Sequence, residues 1–355
     1  MLDVVLLRPQ RRLNELLSYA LEGIAHRFVP PDAPMQGRRI LLAAAVDERG
    51  MDEPTLRFLR RLRAEPEAMS GSIASVLVDG TGELYTKQVA QELVHAANRA
   101  GCLFPGKPVL EGTGSLYNQH ILAEQLRKSW EETYFFRARE LAQRLSRFEP
   151  PHFSAPRLLV LHASERGRSS SLWLWDQLRE RLDDAIVSEE ITLQNGTVHD
   201  CRGCSYRTCL HFAQNGSCFY GGALSETVLP AIRDCDAMLF LCPNYNDAVS
   251  ANITALFNRL TSLLLHGNLY RKYLFGVVIS GYSGSDLVAR QLLGAMCLNK
   301  TAMLPPRFCL METANDLSAM QLVPRLSDRL DAFARSIEHT LLPPAEGDKE
   351  QDRLL

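Results

Sequence analysis

The stretch RLLVLHASERGRSSS, residues Arg157–Ser171, decides the fold because it joins an apolar strand to a serine-rich loop. Arg157–Ala163 is nearly all apolar, as in a strand that is covered on both faces of a parallel sheet. Apolar residues with helical spacing follow at Leu172–Leu182. Hydroxyl residues and a glycine between a strand and a helix offer O–H and backbone N–H groups to a phosphate. The stretch therefore predicts a strand, a ligand loop and a helix.

The same alternation of strand and helix continues along the chain. Four further strands are predicted at Ala185–Leu193, Ala237–Pro243, Tyr273–Ser280 and Arg307–Thr313. Helical patterns separate them, including one at Ala251–Leu265. Near-continuous apolar strands joined by helices predict an α/β fold, a doubly wound parallel sheet. Five strands with this rhythm favour the flavodoxin-like order 2-1-3-4-5.

Three loops of this predicted domain fall at the edge where doubly wound sheets bind ligands. The first is His162–Ser171, where Arg166 or Arg168 adds positive charge for a phosphate. The second is Cys242–Ser250, after the third strand. The third is Ser280–Asp286, whose two glycines let the backbone pass close to a flat ligand. Together they predict one binding site.

The motifs S-x-R-x-x-S-S-S, P-x-Y, LFNRL and SGYSG, in that order, resemble the NAD(P)H-dependent FMN reductase family of flavodoxin-like proteins. The resemblance covers residues 156–341 and implies an FMN cofactor. It implies that the phosphate is held by Ser164, Arg166, Ser169, Ser170 and Ser171. It also implies that the isoalloxazine is flanked by Pro243, Asn244, Tyr245 and Asn246 on one side and by Ser280, Gly281, Tyr282, Ser283 and Gly284 on the other. The helix after PNY reads NITALFNRL, without the lysine that many relatives carry there.

A cysteine-rich loop, residues 199–222, carries four of the nine cysteines: Cys201, Cys204, Cys209 and Cys218. Four thiolates in one loop suit a [4Fe–4S] cluster and a zinc ion alike, and a metal-free structural or thiol-redox role is the third alternative. The segment resembles the iron–sulfur flavoprotein branch of the same family, which implies a [4Fe–4S] cluster on these four residues. Its intervals of four and eight residues are longer than that branch usually has. The other cysteines lie in apolar segments and are expected to be buried.

The N-terminal half follows the outline of the C-terminal half. Arg38–Leu62 matches Asp236–Leu260, and Ser72–Leu116 matches Lys272–Leu317, as strand, loop, helix and strand. No serine loop, P-x-Y or cysteine segment occurs there. We therefore expect a degenerate flavodoxin-like copy without cofactor at 1–118, with two βα domains of unrelated ancestry as the alternative.

The remaining boundaries follow from this division. Gln119–Phe148 predicts one long amphipathic helix, and a Pro-rich linker completes the connection at 119–155. The FMN-binding domain is expected at 156–342 and a disordered tail at 343–355. Because related proteins dimerise, the two copies are expected to form an intrachain pseudo-dimer or to support a homo-oligomer.

The composition excludes several other function classes. The 355 residues are 46% hydrophobic and 23% charged, with a formal net charge of −2, which points to neither nucleic acid nor an acidic solvating tail. No signal peptide and no membrane-spanning stretch are recognised, so a cytoplasmic protein without membrane or nucleic-acid partners is expected.

These observations predict an FMN-dependent oxidoreductase with a [4Fe–4S] cluster that passes electrons between NAD(P)H or ferredoxin and an acceptor. The alternatives are a cluster-free NAD(P)H:FMN or quinone reductase and a non-catalytic flavin-binding carrier subunit. The partners of the protein are expected to be small-molecule or protein electron donors and acceptors. No residue is identified as a catalytic acid or base.

Overall fold

The computed structural model describes residues 1–193, 198–263 and 269–344. It divides into two compact units. Unit 1 comprises Met1–Glu149 together with Met303–Arg307, and unit 2 comprises the remaining described residues from Pro150 onward. Most of the predicted tail, residues 345–355, lies outside the described residues.

Unit 1 has five parallel strands in the part of the chain that is described, in the order β2-β1-β3-β4-β5. Its strands are β1 (Leu2–Arg8), β2 (His26–Phe28), β3 (Arg39–Val46), β4 (Ile73–Gly80) and β5 (Val109–Gly112). Its helices are α1 (Arg11–Leu21), α2 (Glu53–Ala64), α3 (Thr86–Arg99), α4 (His120–Leu126) and α5 (Trp130–Arg147), with a 3₁₀ turn at Tyr117–Gln119.

Two pairs of helices cover the sheet of unit 1: α1 packs with α5, and α2 packs with α3. The strands β3 and β4 are buried along nearly their whole length. Helix α5 adds Tyr134, Ala138 and Leu145 to a core cluster that also holds α1 and β1 residues. The helix expected as a connection between domains is therefore part of the unit 1 core.

The single long helix predicted over Gln119–Phe148 is instead two helices. Arg127 adopts a left-handed conformation (φ 54°) and ends α4. Ser129 and Glu132 then form a reciprocal capping box that begins α5. The break separates two amphipathic segments whose apolar spacing continues across it, which explains why the periodicity predicted one helix.

Unit 2 has the same strand order within its described residues, β7-β6-β8-β9-β10, and all neighbouring strands are parallel. Its strands are β6 (Arg157–His162), β7 (Val187–Thr192), β8 (Ala237–Pro243), β9 (Tyr273–Ser280) and β10 (Cys309–Thr313). Its α-helices are α6 (Ser170–Arg179), α7 (Tyr206–Ala213), α8 (Leu229–Asp234), α9 (Ala251–Arg259), α10 (Ser285–Leu293), α11 (Leu317–Gln321) and α12 (Leu326–Leu341). Short π-helices lie at Leu224–Val228 and Gly294–Asn299, and short 3₁₀-helices lie at Leu260–Leu263 and Leu269–Arg271.

Both sheets confirm the predicted flavodoxin-like order 2-1-3-4-5. The central strands β8 and β9 are buried on both faces, as their continuous apolar sequences predict. Helix α9 ends at Arg259, before the predicted end at Leu265, and residues 264–268 lie outside the described residues. The strand order reverses between β6 and β8, which places the predicted ligand edge at their carboxyl ends.

Among the helices of the described chain, none is long and apolar enough to cross a membrane.

Candidate functional site

A cavity of about 740 Å³ lies at the carboxyl edge of the unit 2 sheet, where the loops after β6, β8 and β9 meet. Its size falls within the range of small-molecule and cofactor sites. The predicted residues that line it are Ser164, Ser169, Ser170, Ser171, Pro243, Asn244, Tyr245, Asn246, Gly281, Tyr282 and Ser283. Three loops predicted separately from the sequence therefore form one cavity wall.

Three predicted site residues, Arg166, Ser280 and Gly284, are not among the lining residues of this cavity. Arg166 faces two carboxylates instead: its guanidinium lies 2.6 Å from Glu190 and 3.2 Å from Asp176. Arg168, the second arginine of the same loop, does line the cavity. Of the two arginines of this loop, Arg168 is therefore the one that offers positive charge to the cavity.

A cluster of serine hydroxyls lies at the start of α6. Ser171 Oγ lies 3.3 Å from Ser164 Oγ and 2.8 Å from Ser169 Oγ. Ser169 also caps the helix, because its hydroxyl accepts the backbone N–H of Leu172 at 3.3 Å. Hydroxyl donors at the positive end of a helix suit a phosphate group.

The loop after β8 turns back through two successive left-handed residues, Asn246 (φ 53°) and Asp247 (φ 60°). The flanking residues Tyr245 and Ala248 exchange backbone hydrogen bonds of 3.1 and 3.2 Å, which completes a type I′ turn. Asn and Asp tolerate the left-handed region better than other side chains. The turn presents Tyr245 and Asn246 to the cavity.

Asn244 joins the loop after β8 to the loop after β9. Its Nδ2 lies 2.9 Å from Ser280 Oγ and 3.1 Å from the Ser283 carbonyl oxygen, and its Oδ1 accepts the Asp247 N–H at 2.7 Å. Ser280 is fully buried, and its hydroxyl fixes the orientation of the Asn244 side chain through this hydrogen bond. The two loops therefore hold each other in place.

Two tyrosines line the cavity while keeping large exposed surfaces. Tyr245 is 54% exposed and Tyr282 is 86% exposed. Aromatic rings left in water at the wall of a cavity have apolar faces available to a flat ligand. The arrangement suits a planar ring system.

A fourth loop, Ala314–Asp316, follows β10 and also lines the cavity, although it is not among the loops predicted from the sequence. Asp316 begins α11 by accepting the Ala319 N–H at 2.8 Å. The position of the fifth strand was a sufficient signal, because its carboxyl end lies at the same edge. The other lining residues not assigned from the sequence are Ala163, Glu165, Asp247 and Ile279.

The four clustered cysteines lie in and around α7. Cys201 and Cys204 are exposed, and Cys209 and Cys218 are half-buried. Burial raises the pKa of the Cys209 thiol, and electrostatic interaction with Cys218, Cys201 and Cys204 raises it further, so the four thiols are electrostatic neighbours. Over the described ranges, however, no three His, Cys, Asp or Glu side chains come together as a metal site would require.

The expectation of burial is confirmed for Cys102, Cys235, Cys242 and Cys297, whereas Cys309 is half-buried. Burial raises the pKa of Cys235 and of Cys242 to about 12. Thiols with such pKa values are protonated and unreactive at neutral pH. These cysteines pack as small apolar side chains.

Residues 156–316 match the family model of the NADPH-dependent FMN reductase. None of the curated proteins compared with the chain matches it. Similar solved structures include RosB with a bound 8-demethyl-8-formylriboflavin-5'-phosphate intermediate, at 14% identity over 56% of this chain and 86% of that one (TM-score 0.40). An NAD(P)H:quinone oxidoreductase from Methanothermobacter marburgensis is 15% identical over 52% and 97% of the two chains (TM-score 0.37). An azoreductase from Bacillus anthracis str. Sterne is 11% identical over 52% and 98% (TM-score 0.36).

The family match covers the loops after β6, β8, β9 and β10 that form the cavity. It agrees with the prediction of an NAD(P)H-dependent flavin oxidoreductase, which rested on the motifs of those loops. Residues 156–316 therefore match the model of an NADPH-dependent FMN reductase domain, and the match falls on the half of the chain that carries the cavity.

Proposed function

We propose that the chain is an oxidoreductase that binds FMN in the unit 2 cavity and reduces it with NAD(P)H. The observation that carries this proposal is the cavity of about 740 Å³, which combines a hydroxyl cluster at a helix N-terminus with exposed aromatic rings. These are the groups that a phosphate and a flat ring system need. The family match supports the same cofactor.

The residues present fit FMN. Ser164, Ser169, Ser171 and Arg168 would hold the phosphate through hydroxyl and charge-assisted hydrogen bonds. The loops that carry Tyr245 and Tyr282 would hold the ring system between them. Bound FMN supplies the capacity to accept a hydride from a nicotinamide and to pass electrons on.

The protein's own contribution is binding and orientation. The Asn244 hydrogen bonds fix the two loops that would face the ring, and the serine cluster fixes the other attachment point. Flavin hydride chemistry is carried by the cofactor, so the site needs position and polarity more than a protein acid or base.

The [4Fe–4S] cluster on Cys201, Cys204, Cys209 and Cys218 stays a prediction. It is supported by four neighbouring thiols in one loop, but these thiols are not gathered around a common point in the described structure. We therefore derive no electron-transfer step through a cluster. Because no three of these thiols come together within the described residues, a cluster-free NAD(P)H:FMN or quinone reductase is the second candidate function.

An anaerobic spectroscopic titration tests the proposal. FMN is added to the purified full-length chain, followed by NADPH or NADH, and the flavin absorption is recorded. We expect FMN to be bound and its absorption to be lost on addition of at least one nicotinamide cofactor. FMN binding without reduction by either cofactor would favour the carrier alternative, and no binding at all would overturn the proposal.

Iron and acid-labile sulfide are assayed on the same anaerobic preparation. About four irons per chain would support the predicted cluster, whereas flavin reduction without iron would support the cluster-free reductase.

The substitution Arg168→Gln is expected to weaken FMN binding about 10-fold through loss of a charge-assisted contact. Arg179→Gln, an exposed arginine at the end of α6, serves as the matched control.

A further inference from the structure

His162 lies directly behind the serine loop. It is the last residue of β6 and is only 3% exposed. Its Nδ1 accepts the backbone N–H of Ser164 at 3.2 Å, and its Nε2 lies 3.2 Å from a carboxylate oxygen of Glu190. Both contacts are satisfied by one neutral tautomer, with Nδ1 as acceptor and Nε2–H as donor.

Glu190, on the neighbouring strand β7, connects this histidine to the rest of the loop. Its carboxylate receives the Arg166 guanidinium at 2.6 and 2.7 Å and the indole N–H of Trp175 at 3.1 Å. Arg166 also reaches Asp176 on α6 at 3.2 Å. Hydrogen bonds therefore hold the serine loop, His162–Ser171, to three elements. The Ser164 N–H bonds to His162 of β6, and Arg166 bonds to Glu190 of β7 and to Asp176 of α6.

His162, Glu190, Arg166 and Trp175 do not line the cavity. Ser164 does, and its hydroxyl is part of the serine cluster. Because these four residues do not line the cavity, they can affect a bound ligand only by setting the position of the serine loop. We call these four residues the loop clamp.

Burial of His162 favours the neutral imidazole that this geometry needs. Burial lowers the pKa of His162, against the opposing effect of Glu190. Burial alone would raise the pKa of Glu190, but Arg166 and then His162 outweigh it, so that pKa is lowered. Glu190 therefore stays ionised, with its charge shared among Arg166, Trp175 and His162.

We propose that His162 is a positioning residue that, through the Ser164 N–H and the loop clamp, presets the serine cluster for a phosphoryl group and so makes the site select FMN over riboflavin. This inference rests on the proposed function, because it concerns the same cavity. It also gives Arg166 a role behind the loop, in place of the direct phosphate contact that the resemblance implied. The two flavins share a ring system, so they differ only in the group that the serine cluster would bind.

The test compares dissociation constants for FMN and riboflavin, measured by flavin fluorescence quenching, in the full-length chain and its His162 variants. In His162→Asn the amide oxygen can take the place of Nδ1 as acceptor for Ser164. In His162→Gln the amide reaches toward Glu190 instead, and His162→Leu offers neither contact. The exposed His339 on α12 provides the matched control, His339→Asn.

We expect His162→Asn and His339→Asn to bind FMN within about 3-fold of the natural chain, a difference of less than 1 kcal/mol. His162→Gln and His162→Leu are expected to bind FMN at least 10-fold more weakly, as loss of one hydrogen bond to the loop predicts. Riboflavin affinity should change by less than about 3-fold in every variant. The proposal therefore predicts both that His162→Asn retains FMN binding and that the loss in the other two His162 variants is confined to FMN.

Three outcomes would overturn it: unchanged FMN binding in His162→Gln and His162→Leu, an equal loss of FMN and riboflavin affinity, or a loss of FMN affinity in His162→Asn as large as in His162→Leu. Circular dichroism establishes that each variant is folded, and if His162→Leu does not fold, His162→Asn and His162→Gln are compared with each other. Failure of the natural chain to bind either flavin is a distinct result, because it removes the proposed function itself.

Discussion

Gly284 shows how a single backbone position maintains the cavity wall. It is left-handed (φ 89°) at the start of α10, a conformation that favours glycine. A Cβ atom there would overlap Asp247 Oδ1 and lie 3.0 Å from Asn244 Nδ2. Gly284 does not line the cavity, yet the two side chains it accommodates do.

We therefore expect Gly284→Ala to displace the wall and weaken FMN binding about 10-fold, a cost of about 1.4 kcal/mol. Gly23→Ala in unit 1 is the matched control, because Gly23 is also left-handed (φ 76°) but has no neighbouring atom within 4 Å of its would-be Cβ. Both variants place an alanine in a left-handed conformation, but only the Cβ atom of Gly284→Ala overlaps neighbouring side chains. Equal FMN affinity in both, measured by fluorescence quenching, would rule out the wall displacement.

At the scale of secondary-structure elements, the carboxyl edge of unit 1 is spanned by one side chain of α1. Arg12 contacts the fully buried Asp79 at 2.9 Å and donates to the carbonyl oxygens of Gly80, Thr113 and Gly114 at 2.7 to 3.1 Å. Burial raises the pKa of Asp79, while Arg12 and the Tyr134 hydroxyl act to lower it. Arg12 thus fastens α1 to the ends of β4 and β5.

Arg12→Met is expected to lower the free energy of unfolding by about 3 kcal/mol, because it leaves a buried carboxylate and three carbonyls without their donor. Arg11→Met is the control, since Arg11 is the adjacent residue and its pair with Glu15 is 92% exposed at the arginine. That exposed pair should contribute less than about 1 kcal/mol. Urea unfolding of both variants measures the difference, and similar midpoints would contradict a stabilising role for Arg12.

The elements also show what the sequence can and cannot predict. The strands β8 and β9 were predicted within their observed bounds because buried parallel strands have continuous apolar sequences. The break before α5 falls at Arg127, a left-handed non-glycine residue, and the periodicity does not predict it because the apolar spacing continues across it. Likewise, a loop sequence with two arginines does not reveal that Arg166 meets Glu190 on another strand while Arg168 lines the cavity.

At the scale of the whole molecule, two sheets of the same strand order differ at their carboxyl edges. Unit 2 has a serine cluster there. Unit 1 has a cavity of about 590 Å³ beside Arg12, but the hydroxyls of the two serines that line it face carboxylates: backbone and side-chain hydrogen bonds from Ser115 lower the pKa of Glu83, and Ser129 Oγ donates to Glu132 at 2.8 Å. A common fold does not establish common ancestry, so the duplication and the pseudo-dimer stay predictions.

The most direct measurement is the FMN-binding stoichiometry of the full-length chain. Apo-protein at known concentration is titrated with FMN, and bound flavin is followed by fluorescence quenching. The serine cluster of unit 2 and the engaged side chains of unit 1 predict saturation at one FMN per chain. Saturation at two would contradict the difference between the two edges, and no binding would contradict the assignment of the unit 2 cavity as a flavin site.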